Sequence, residues 1–110
     1  MESYLLVMTT CASEEEAEKI VKKVLDAHLI ACANIIPGVN SFFHWKGKVA
    51  SEKEVVVLMK TRKKLFSELM EWIQTHHSYQ VPEIIALPIV DGSTEYLDWV
   101  KEETSLASWN

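Results

Sequence analysis

At 110 residues the chain has the length of one domain, residues 1–110, and a domain of that size buries roughly 60 to 70% of the surface its unfolded chain exposes. Its 48% hydrophobic and 25% charged residues argue against disorder and against collagen-like or repeat architectures. A formal net charge of -5 and a pI near 5.3 provide no domain-wide positive field to gather phosphates, which argues against nucleic acid as a partner.

Tyr4 to Met8 is a short continuous apolar run, the pattern of a strand covered on both faces. Ser13 followed by Glu16 forms a capping box, and Glu14 and Glu15 suit the positive end of a helix dipole, so a helix starts there. Ala17, Ile20, Val21, Val24 and Leu25 give that helix one apolar stripe. Ala31 to Ile36 reads as a second strand ending at Pro37-Gly38, where a turn or bulge is expected. The strand resumes from Val39 to Trp45, Lys46-Gly47 offers a tight hairpin, and Val49 with Val55 to Met59 returns as the third strand.

Thr61 is placed to cap a second helix carrying Leu65, Phe66, Leu69, Met70, Ile73 and His76 at helical spacing. Ile84 to Val90 follows as a strand. It is the longest apolar stretch and far short of the ~20 residues that cross a bilayer, so no membrane association is expected. Pro88 removes a ladder donor and places this strand at a sheet edge. Ser93 or Thr94 then caps a last helix with Tyr96, Leu97 and Val100, while Trp99 and Trp109 fall outside these stripes.

The order predicts an α+β fold, the ferredoxin-like β-α-β-β-α-β sandwich, with an extra C-terminal helix and a long hairpin between the second and third strands. Both main helices fall on one sheet face. Phe42, Phe43 and Trp45 supply more large apolar side chains than one small face needs, so the hairpin is expected to reach another subunit; a longer internal hairpin is the alternative.

Antiparallel pairing of the first and last strands brings Thr9-Thr10-Cys11 beside the segment from His76 to Glu83, the one dense functional cluster in the chain. Thiolate and imidazole are ligands for copper and zinc, which makes Cys11, His76 and His77 candidates for a transition-metal site. Adjacent histidines cannot share one helix face. A metal shared by both needs a loop conformation or ligands from different subunits; His76 equally suits a helix C-terminus, where the dipole favours it, which leaves His77 as the preferred ligand. A Cys-His nucleophile is the weaker reading, because no oxyanion-hole glycine motif or third orienting group accompanies it, and the chain is read as a binding protein rather than an enzyme. Cys32 reads as a small core residue. The two cysteines are too few and too far apart for a disulfide framework and, with no signal-peptide pattern at the start, point to the cytoplasm. Arg62, Lys63 and Lys64 crowd a helix start, where cations are unfavourable; a bound anion or carboxylates of a neighbouring subunit, such as Glu52 or Glu54, are candidates to offset them, the intersubunit pairing being slightly favoured, and simple solvation is the commonest outcome for such a run.

The block Ala31-Cys32-Ala33-Asn34-Ile35-Ile36-Pro37-Gly38-Val39 with Ser41 resembles the signature of the CutA family of divalent-cation tolerance proteins. Trp45, Gly47, Glu54, Lys60-Thr61 and Tyr79 with Val81-Pro82-Glu83-Ile84 extend that likeness across nearly the whole chain. The resemblance implies a ferredoxin-like homotrimer joined by the long hairpin arms, a cytoplasmic location, and a role tied to copper and other divalent metals with no organic cofactor and no established reaction. The copper pattern it implies uses a cysteine at the end of the first strand and paired histidines after the second helix. His76 and His77 match; Thr9 stands at the cysteine position with Cys11 two residues on, and Ser78 replaces the proline that commonly follows. A likeness to PII-like trimers implies a second function, a signalling or scaffold module holding a small anion or a protein in an intersubunit cleft lined by Arg62, Lys63, Lys64, Tyr79 and Glu54.

Overall fold

The computed structural model describes residues 2–106. Strand β1, Tyr4–Cys11, runs three residues beyond the apolar stretch that announced it. The capping box starts helix α1, Glu14–Asp26: the Ser13 hydroxyl accepts the Glu16 N–H at 3.2 Å, and Glu16 Oε1 reaches back to the N–H of Ala12 at 3.3 Å. Strands β2, Cys32–Trp45, and β3, Lys48–Arg62, form the hairpin, joined by Lys46 and Gly47 with φ of 50° and 78°. Two consecutive positive φ values match the right-handed twist of the flanking strands. Pairing shifts register between Ile36 and Val39, where Gly38 takes a φ of 71°, so Pro37-Gly38 is a bulge within one long strand.

Thr61 does not cap the second helix. It is still in β3, and its hydroxyl donates to the Leu29 carbonyl at 2.6 Å; burial makes that long-range partner more valuable than a local cap. A 3-10 turn over Lys63–Leu65 intervenes before helix α2, Phe66–His76, which begins with no side-chain cap. Strand β4, Ile84–Ile89, pairs only with β1 in a sheet ordered β2-β3-β1-β4, so the proline-bearing strand lies at the edge as expected. Ser93 caps helix α3, Thr94–Thr104, accepting the Tyr96 N–H at 3.3 Å.

The core gathers Leu5, Val7 and Cys11 of β1, Val55, Val57 and Met59 of β3, and the apolar stripes of α1 and α2. Both main helices thus cover one face. Helix α3 covers part of the other, because Cys32 and Arg62, out of phase with the core-facing positions, meet it: Cys32 Sγ lies 3.2 Å from the Tyr96 hydroxyl, and Arg62 Nε donates to Thr104 Oγ1 at 2.8 Å. Cys32 is therefore a half-buried partner of Tyr96 rather than a core residue. Trp99 is exposed on α3 with its ring 5.7 Å from that of Tyr96, and Trp109 lies outside the described residues. Pairing of β1 with β3 ends at Cys11 and Val55, so β3 residues 48–54 and their partners in β2 continue as a two-stranded ribbon. Seven residues carry it ~23 Å past the sheet. Phe42 is 72% exposed on it and Trp45 62%.

Candidate metal site

The end of β1 and the loop after α2 meet because β1 and β4 pair antiparallel, with Thr9 opposite Ile84. His77 is the first residue past α2, extended at φ -81° and ψ 143°, and this change of direction turns its ring inward while His76 stays on the helix. One His77 nitrogen, Nε2, lies 2.8 Å from the Thr10 carbonyl and 3.9 Å from Cys11 Sγ. The other, Nδ1, accepts the Tyr79 N–H at 3.0 Å and lies 3.8 Å from Glu16 Oε2. A carbonyl only accepts and a backbone N–H only donates, so the proton sits on Nε2 and the lone pair on Nδ1.

Ligand atoms of Cys11, Glu16 and His77 all lie within 4.8 Å of one another. Glu16 earned no place in the site from sequence, where the capping box accounted for it. That box holds its carboxylate at the helix start, and Oε2 also accepts the Ser78 N–H at 2.7 Å, which pins the loop after α2 to α1. The signal was its distance from Cys11: a helix opening right after the end of β1 keeps its first-turn carboxylate on the same rim. Burial works to raise the Glu16 pKa, but hydrogen bonds from the Ser78 hydroxyl and N–H and the Ala12 N–H, with the His77 imidazole, outweigh it and hold the carboxyl below its usual value. Burial, then Glu16 and Glu54, push the Cys11 thiol up to about 12. Thr9 is fully buried on the same strand face, and its hydroxyl has no hydrogen-bond partner among the described residues.

The other candidates separate. His76 is exposed, stacked on Trp72 at 3.7 Å with Nδ1–H donating to the Trp72 carbonyl at 2.8 Å, and it does not join the cluster. Tyr79 donates its hydroxyl to Glu54 at 2.8 Å, beside the cluster, and its ring lies 4.9 Å from that of His77; burial and then Glu54 raise its pKa. Arg62 stands eight residues along β3 from Glu54, ~26 Å away, so these five residues do not line one cleft within a subunit. Nor does Arg62 wait for an anion: it is buried and divided between Thr104 and Glu2, with Nη1 at 3.2 Å from the Glu2 carboxylate. Lys63 and Lys64 are exposed on the turn that follows.

Residues 5–103 match the family described as CutA1 divalent ion tolerance protein. The divalent-cation tolerance protein CutA of Thermus thermophilus is 44% identical over 99 residues, covering 90% of this chain and 96% of that one. Its structure superposes with a TM-score of 0.89 over 96% of this chain and all of that one. The chloroplastic CutA of Arabidopsis thaliana is 41% identical over 100 residues, 91% of this chain and 55% of that one, so the chain spans about half the length of that plant relative. The structure of the periplasmic divalent cation tolerance protein CutA from Archaeoglobus fulgidus is 40% identical with a TM-score of 0.89, covering 96% of this chain and all of that one. With the ferredoxin-like order, the long hairpin and almost the full length in agreement, the chain belongs to the CutA1 divalent ion tolerance protein family.

Proposed function

We propose that this protein acts in divalent-cation tolerance as a homotrimer that binds a transition-metal ion, copper or another divalent metal, at the rim where β1 ends and the loop after α2 begins, without catalysing a reaction. The observation that carries the reading is the convergence of Cys11, Glu16 and His77 ligand atoms within 4.8 Å. Thiolate sulfur, imidazole nitrogen and carboxylate oxygen are ligand types for such ions, so the residues fit the group that the family's description implies. The raised Cys11 pKa sets a condition: metal binding has to displace the thiol proton, and affinity falls as the solution becomes more acidic.

Exposed apolar side chains on the arm and on the uncovered sheet face, among them Phe42, Trp45, Ile36, Ile85 and Leu87, support assembly into a trimer. Two free cysteines, one buried and one half-buried, suit the reducing cytoplasm. No described helix is long and apolar enough to cross a membrane. The anion-binding alternative loses support from Arg62, whose charge is taken up inside its own subunit.

The test is titration of the purified, metal-free protein with copper and zinc salts. Binding is saturable in the wild type, lost in His77→Ala and retained in His76→Ala; equal binding by wild type and His77→Ala removes this site.

A further inference from the structure

Of the three converging side chains, the Cys11 thiol and the His77 imidazole are the softer donors, and the Glu16 carboxylate changes which ion the cluster suits. We infer that Glu16 is a metal ligand of this chain, and that Cys11 Sγ, one nitrogen of His77 and the Glu16 carboxylate, with a fourth position open, form a site for a four-coordinate zinc(II)-class ion rather than for copper(I). This rests on the metal-binding function proposed above and names the ion class it takes.

The donor set comes first. Copper(I) is held by soft thiolate and thioether ligands, with imidazole next, whereas a carboxylate is a hard ligand that zinc(II) accepts readily beside sulfur and nitrogen. The second imidazole that would soften the set, His76, is on the helix and engaged with Trp72. Glu16 is held in position by hydrogen bonds from Ala12 and Ser78 to its two oxygens, and each oxygen retains a further lone pair.

The histidine supplies an independent observation. A metal-bound histidine commonly gives its other ring N–H to a carboxylate or backbone carbonyl, which fixes tautomer and ring direction. His77 already has that arrangement: its Nε2–H is given to the Thr10 carbonyl at 2.8 Å, and the lone pair lies on Nδ1, 3.8 Å from Glu16 Oε2. Zinc bonds of ~2.0 to 2.2 Å to nitrogen and oxygen place those tetrahedral ligand atoms ~3.3 to 3.5 Å apart, so the nitrogen and carboxylate are within ~0.5 Å of ligand spacing. The sulfur, now beside Nε2 at 3.9 Å, has to move toward the Nδ1 side. What the ion displaces at Nδ1 is the Tyr79 N–H, now bound there at 3.0 Å.

The experiment uses the full metal-free chain, with zinc chloride and competitor-buffered copper(I) as probes, in wild type, Glu16→Gln, Cys11→Ser and Ser13→Ala. Glutamine keeps an acceptor for the capping box but is a poor zinc ligand, whereas Ser13→Ala weakens the same helix start and leaves every ligand in place. The expected result is saturable zinc binding in the wild type and an affinity loss of ~100-fold or more in Glu16→Gln, at or beyond the 10- to 100-fold typical of removing a group behind the ligands. Ser13→Ala binds zinc like the wild type, and cobalt(II) in the wild type gives a thiolate charge-transfer band that Cys11→Ser lacks. Zinc affinity unchanged in Glu16→Gln but lost in Cys11→Ser removes Glu16 from the site and leaves the metal-binding function standing. Binding of copper(I) with no binding of zinc overturns the ion class alone, and binding of neither ion overturns both. An equal loss in Glu16→Gln and Ser13→Ala assigns Glu16 a structural role only and also overturns the inference. If Glu16→Gln fails to fold, the cadmium NMR shift of the loaded wild type decides: one sulfur with oxygen and nitrogen donors supports the assignment, and a shift without oxygen donors overturns it.

Discussion

Glu16 joins two parts of the chain with one carboxylate, the start of α1 through Ala12 and the loop after α2 through Ser78, and lies 3.8 Å from the imidazole of His77. Because the folded state holds its pKa below the unfolded value of about 4.3, Glu16 contributes stability that is complete above that value and is lost as pH falls through the folded pKa. Glu16→Gln is expected to lower stability at neutral pH by the contribution the carboxylate makes there and to flatten the profile below about pH 4.3, so that wild type and variant converge in acid, as read from urea midpoints across that range. At this scale sequence was a partial guide. Ser13 and Glu16 announce their capping box, and His76, closing an apolar stripe at a helix end, has a structural explanation that leaves His77 as the better ligand. That the same carboxylate turns toward His77 depends on how the α1 start packs against the loop after α2, a long-range contact that no local spacing encodes.

Among the elements, α3 departs most from what its sequence promised. Its short apolar list suggested an appendage, yet its last carbonyls are bound by side chains from two distant elements: Thr104 by Arg62, and Glu103 by the His28 ring at 2.8 Å. His28 reaches there from the turn after α1, at a positive φ of 57°. Orphan carbonyls at a helix end are favourable targets for such donors, and the guanidinium fork serves the hydroxyl and carbonyl of one residue together. Arg62→Ala is expected to cost about 2 to 4 kcal/mol, since it leaves buried acceptors without donors. Thermal melting at fixed protein concentration reads the loss, and metal affinity stays at the wild-type value because Cys11 pairs with Val55, seven residues along β3 from Arg62. Strand order, the edge position of β4 and the two-residue hairpin were legible from period and turn chemistry. The role of Thr61 was not, because a threonine before a helix looks the same whether its hydroxyl serves that helix or a carbonyl 32 residues away.

For the molecule as a whole, the arm and the partly covered sheet face present apolar surface that a lone subunit leaves in water. Burial of such side chains is worth roughly 1.5 to 3 kcal/mol each, enough for a few of them to hold subunits together. If the proposed trimer forms through these side chains, the wild type is expected to sediment as three subunits and a double substitution Phe42→Asp and Trp45→Asp as folded single subunits by analytical ultracentrifugation. A wild type that sediments as one subunit at micromolar concentration counts against assembly.

The bulge at Pro37-Gly38 bears on where the ribbon points. Ile36 faces Val56 and Val39 faces Glu54, so two residues of one strand lie across from one of the other. Removing either would leave each flanking partnership in place while taking out the bend and the added twist that the surplus residue creates. Pairing within the subunit and the heading of the arm are therefore specified separately. A shortened chain could close its own sheet correctly and still extend its aromatic tip toward empty solvent.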